Sequence, residues 1–136
     1  MTNVTIQIDS QETRLLLTRA PQRINRALRA AMEDATVLLL REQQTYPAQR
    51  PGSKYRRTNM LRRSWSRRIR QEGSSLVGEV GSNEGMAPYH RRVQDATQQA
   101  SIHRGRWTNT VQETTRRNQA TIQRYFDRRL REEFSR

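Results

Sequence analysis

Residues 54–70 read KYRRTNMLRRSWSRRIR, and the fold turns on how this run is divided. Eight of its seventeen residues are basic, which on composition alone points to a helix that grips nucleic acid. The apolar positions argue otherwise. Thr58 is a good helix N-cap, and NMLRRS after it makes one or two turns. From Trp65 the period changes. Trp65, Arg67 and Ile69 share one side at a spacing of two, and Ser66, Arg68 and Arg70 share the other. QEGSS then has turn composition, and LVGEVGS is rich in β-branched residues and glycine. The pattern predicts a β-hairpin of strands 65–70 and 76–81. Pairing Arg67 with Glu79 across it gives one favourable register. Trp65 and Ile69 then enter the core, and the arginines form an outer surface.

Working toward the N-terminus, VTIQI (residues 4–8) alternates as a short half-buried strand. Ser10 caps a helical turn or two through QETRLLLTR. Pro21 suits the first turn of a long helix, in which Ile24, Leu28, Ala31, Ala35 and Leu38 or Leu39 recur at three- and four-residue spacing. TYPAQRPGS ends that helix near Gln44. Toward the C-terminus, NEGMAP is a loop and a short helix runs over about 88–93. DATQQASIHRGRWTN reads as an extended, exposed loop. A long helix follows from about Asn109 to Phe134, with Ile122, Phe126, Leu130 and Phe134 four apart and Tyr125 beside them. Its first half, VQETTRRNQATI, is polar nearly all round, so that half is expected to be solvated or to meet a partner. The whole reads as one α+β domain over 1–136. A small antiparallel sheet, made of the N-terminal strand and the central hairpin, packs against long N-terminal and C-terminal helices.

The chain has 136 residues and only 32% hydrophobic ones, enough for a thin core that neighbours complete. Its net charge is +13, and Lys54 is the only lysine. Arginine forks bind carboxylate and phosphate alike, so they serve subunit interfaces as well as nucleic acid. The excess sits in the middle: twelve basic residues against four carboxylates over 54–107, but seven against five over 1–53. No cysteine is present, which excludes disulfides, thiol catalysis and cysteine-ligated metals. No apolar run is long enough to span a bilayer, and MTNVTIQIDSQETR lacks the pattern of a signal peptide. A cytoplasmic protein, or one in a particle assembled there, is expected.

Chemistry-bearing motifs are sparse. His90 and His103 are thirteen apart with only Asp95 between them as a carboxylate, so they are expected to be surface residues rather than metal ligands. There is no nucleophile elbow, phosphate-binding glycine loop or metalloprotease motif, so no enzyme, cofactor or small-molecule substrate is expected. Candidate contacts to carboxylates of other subunits, or to phosphates, are Arg62, Arg63, Arg67, Arg68, Arg70, Arg91, Arg92, Arg104, Arg106, Arg116 and Arg117. Trp107 either anchors in a neighbouring subunit or folds back on its own hairpin.

The segments YRRTNMLRRSW (55–65) and GEVGSNEGMAPYHRRVQ (78–94), followed by a variable loop and a final helix, resemble the tail-completion or neck proteins of tailed bacteriophages. That group is also described as minor tail or head–tail joining proteins. The resemblance covers roughly 45–136. Asn59 stands where the family has glycine, and asparagine also tolerates positive φ. HRRVQ replaces the family's aromatic–valine–glutamate–x–glycine segment. The resemblance implies an α+β subunit of a ring at the head–tail junction or upper tail, without enzymatic activity. Its partners would be further copies of itself and neighbouring neck and tail proteins. Its arginines would pair with carboxylates of those neighbours, and some would contact DNA non-specifically in a channel. The alternative, resting on charge, is a small basic nucleic-acid-binding protein.

Overall fold

The computed structural model describes residues 3–8, 21–49, 51–54, 57–94, 98–104 and 111–135, with Thr5 and Ile6 the only described side chains of the first segment. The expected turn after Ser10, and Arg106 and Trp107, lie outside the described residues. In chain order the elements are β1 (Asn3–Ile8), α1 (Pro21–Gln43), α2 (Met60–Ser64), β2 (Trp65–Glu72), β3 (Ser75–Ser82), α3 (His90–Gln94) and α4 (Val111–Phe134). The α+β architecture is as expected: a three-stranded antiparallel sheet of order β1-β3-β2, with the two long helices packed on it.

The hairpin exists, but its register differs by one residue from the pairing of Arg67 with Glu79. Arg68 stands opposite Glu79, and Arg67 opposite Val80. The cause is the turn. Both strands run on to Glu72 and Ser75, leaving a two-residue loop whose first residue, Gly73, has φ +56°. Glycine at the first loop position is what such a tight hairpin requires. A one-residue slip moves every side chain to the other face. Arg67 and Glu79 therefore lie on opposite faces of the sheet.

Helix α1 keeps the predicted apolar stripe: Ile24, Leu28, Ala31, Ala35 and Leu39 are buried, and Leu38 packs at the margin. They meet Trp65, Leu76, Val80, Val111, Ile122 and Phe126 in one core. Each fully buried Leu or Ile there contributes about 2 kcal/mol. Gly78 faces α1 closely. A Cβ on it would lie 2.9 Å from Thr36 Cγ2 and would also press on Met32. Ion pairs fix α1 and α4 antiparallel: Arg23 with Glu133, Arg129 with Asp34 and Arg117 with Glu42.

Helix α4 departs from expectation at both ends. Its polar first half buries Thr114 and Asn118 in line with Val111, Ile122 and Phe126. These two polar residues are small enough to continue the stripe, and Asn118 Nδ2 donates to the Thr114 carbonyl at 2.9 Å. That half therefore packs on its own core. At the other end Phe134 is 47% exposed, with the Arg23 guanidinium 5.7 Å from its ring centroid.

Candidate functional site

The segments on either side of the hairpin close on each other. The Asn83 amide donates to the Ser64 carbonyl at 2.9 Å, just past the Trp65–Ser82 pair that ends the ladder. Asn83 also holds its own turn, its Oδ1 accepting from the Gly85 amide at 2.9 Å. Leu61, Ala87 and Val93 form a second, smaller core with Tyr46 packed against it. On the other side, Asn59 rather than Thr58 precedes α2, and it takes φ 60°, ψ 11° without a side-chain capping bond. The Thr58 hydroxyl instead accepts from the Met60 amide at 3.4 Å. The short second helix begins at His90, two residues later than the sequence pattern placed it.

His90 is not a surface residue. It is buried, its ring edge-on to Trp65 at 5.1 Å between centroids. Its Nε2 lies 2.6 Å from Gln94 Oε1, and its Nδ1 3.5 Å from Ser82 Oγ. Trp65 Nε1 donates to the Tyr46 hydroxyl at 2.8 Å. Burial pushes the Tyr46 phenol well above its ordinary pKa, partly offset by that hydrogen bond. His90 and Tyr46 thus both hold the tryptophan. Sequence reasoning missed both: Tyr46 sat in a proline-rich loop, and His90 had no ligand-like spacing.

The hairpin arginines are already engaged within the chain. Arg68 grips Glu79 Oε2 through Nε at 3.0 Å and Nη2 at 2.6 Å, while Arg70 Nη2 reaches Oε1 at 2.9 Å. Hydrogen bonds from Arg70 and then Arg68 hold the Glu79 carboxyl below the ordinary carboxylate range. Arg70 also pairs with Glu72. Arg67, on the other face, reaches Glu33 of α1, and that hydrogen bond holds the Glu33 carboxyl low. Arg117 pairs with Glu42 at 2.6 Å, and Arg91 with Glu84 at 3.7 Å. Arg63 donates to the Thr58 carbonyl at 3.3 Å.

Arg62, Arg92, Arg104 and Arg116 differ: all are exposed, and none makes an ion pair among the described residues. Arg116 stands alone beside the groove between β1 and α4. Arg62 lines a cleft of about 40 Å³. Leu61, Val93 and Tyr46 line it, together with Arg57, Thr58, Asn59, Arg62, Tyr89 and His103. No carboxylate is among those residues. The described part of the 95–109 loop is folded rather than extended: the Ala100 amide donates to the Arg92 carbonyl at 2.8 Å, and the His103 amide to that of Ala100 at 2.9 Å. This fold carries His103 to the cleft. The arrangement offers charge and shape for an anion; among the described residues, no group of acidic and histidine side chains could hold a metal ion. No described helix is long and apolar enough to cross a membrane.

Compared with known proteins, the chain matches no family model, no curated protein and no solved structure.

Proposed function

We propose that this chain is a virion structural protein of a tailed bacteriophage. It would be a ring-forming subunit of the head–tail junction or upper tail, akin to tail-completion or neck proteins and assembled in the host cytoplasm. The observation that carries the reading is the closure of its two resembling segments on each other. Residues 58–65 and 82–94 form one packed unit around Trp65, and Asn59 takes a positive φ where the family has glycine. These residues do structural work, as expected of a motif that specifies a scaffold rather than chemistry. On this reading the chain has no catalytic role, cofactor or small-molecule substrate. Its partners are further copies of itself and neighbouring neck and tail proteins. Immunogold labelling of phage particles tests it: label at the head–tail boundary is expected, and particles without label would sink the idea.

A second reading, a small nucleic-acid-binding protein, is favoured by the cleft that no carboxylate lines. The hairpin arginines Arg67, Arg68 and Arg70 pair instead with Glu33, Glu72 and Glu79 within the chain.

A further inference from the structure

We infer that copies of this chain join sheet to sheet, the outer edge of β1 in one protomer pairing with the outer edge of β2 in the next. The inference rests on the ring reading in taking a second copy as the partner, and it names the surfaces that close such a ring.

The strand order β1-β3-β2 leaves the sheet two outer edges. Each outer strand pairs with β3 on one side, and among the described residues neither makes a backbone hydrogen bond on the other. An edge of that kind is a template for a further strand, and proteins that stay single blunt it with charge, proline or a bulge. Strand β1, NVTIQI, has no charged residue, no proline and no glycine. A groove of about 540 Å³ runs beside it, lined by Thr5 and Ile6 of β1 and by Val111, Thr115 and Arg116 of α4. Laying an extended segment along an edge strand is a recurrent mode of recognition.

Side chains select β2 of a second copy as that segment. Ile6 and Ile69 both stand opposite Gly78, one on each side of β3, and both are only partly buried against the core. Setting β2 of the next copy level with β1 brings its Ile69 against Ile6, so two half-covered apolar side chains cover each other. Thr5 and Arg68 likewise both stand opposite Glu79, so the same alignment puts Arg68 of the next copy beside an uncharged residue. Both outer strands run antiparallel to β3, so the new pair is parallel. Charge disfavours joining like to like. Two β2 edges would bring Arg67, Arg68 and Arg70 against their own copies, and two β1 edges would bring Arg116 toward Arg116. Joining unlike edges instead brings Arg116 toward the flank of β2, where the side chain of Glu33, already paired with Arg67, is still 51% exposed. A contact between two different edges is heterologous, and such contacts close into rings when their rotation allows it.

Disulfide mapping on the full chain tests the join. The chain has no cysteine, so introduced thiols are the only ones. Within one protomer Thr5 and Arg68 lie two strand spacings apart, about 9–10 Å, beyond the ~7 Å Cα separation that a disulfide can bridge. A disulfide between them therefore joins two copies. Thr5→Cys with Arg68→Cys is oxidised and run on a non-reducing denaturing gel, beside native mass spectrometry of the same sample. Thr5→Cys with Ser66→Cys and Thr5→Cys with Arg70→Cys cover a register slip of two residues either way, and circular dichroism checks that each variant keeps the fold. At least one pair is expected to give a ladder of multiples of 16.1 kDa. Each single variant, and Thr5→Cys with Arg29→Cys at an exposed position of α1, should stay at 16.1 kDa. Rings in the mass spectrum with no ladder from any pair would overturn the join and leave the ring reading standing. A cross-linked dimer from Thr5→Cys alone would overturn it in favour of β1 against β1. A 16.1 kDa species alone, in both measurements and for every variant, would overturn the join and the ring reading together.

Discussion

Asn59 carries more of the local geometry than its size implies. Its φ of 60° lies in the left-handed region, where most residues cost about 1–2 kcal/mol and glycine or asparagine little. Asn59→Ala should therefore lower stability by about 1 kcal/mol in urea unfolding, and Asn59→Gly should stay within about 0.5 kcal/mol of the parent. Equal losses from both would show that the side chain matters rather than the backbone. Glu79 makes a second prediction at this scale. Its folded pKa is lowered, by hydrogen bonds from Arg70 first and Arg68 next. A lowered carboxyl pKa adds stability that is fully present above the unfolded value near 4.5 and fades as pH falls through the folded value. Carboxyl-carbon NMR should find Glu79 titrating below 4.5, and Arg70→Gln should move it back upward. An unmoved titration would mean that the Arg70 contact is absent in solution.

Among the elements, α4 is the most informative. Its first half looks solvated by composition but buries Thr114 and Asn118. Thr114 Oγ1 is buried without a hydrogen-bond partner among the described residues. The near-isosteric Thr114→Val should raise stability by about 1 kcal/mol in thermal or urea unfolding, because a buried hydroxyl without a partner is costly. A loss of similar size would place a partner on that hydroxyl. The same helix shows what a one-dimensional pattern carries and what it leaves out. Stripes of large apolar residues were legible: Ile24 to Leu39 gave α1, and Ile122 and Phe126 gave the second half of α4. The change of period at Trp65 gave the hairpin. Small polar residues such as Thr114 carry no such signal, since their burial depends on what faces them. The register was missed because either of two neighbouring registers sets an arginine opposite Glu79. The two-residue turn at Gly73 decides between them.

At the scale of the whole molecule, the candidate site was only partly legible. The arginines were evident from sequence, but their partners were not. Glu33 is 34 residues from Arg67, and Asp34 is 95 from Arg129, separations that only the packing of α1 on the sheet and on α4 resolves. The packing sorts the arginines into those that tie elements together, such as Arg67, Arg117 and Arg129, and those that remain on display, such as Arg62, Arg92 and Arg104. A chain of net charge +13 repels its own copies at long range, so a ring of such subunits should assemble more readily as salt rises through the physiological range. The proposed function requires that these subunits close into a ring. Native mass spectrometry of the purified chain, with electron microscopy of the same sample, tests it most directly. A closed ring whose mass is a whole multiple of 16.1 kDa is expected. A species of 16.1 kDa alone, at every protein and salt concentration, would contradict it.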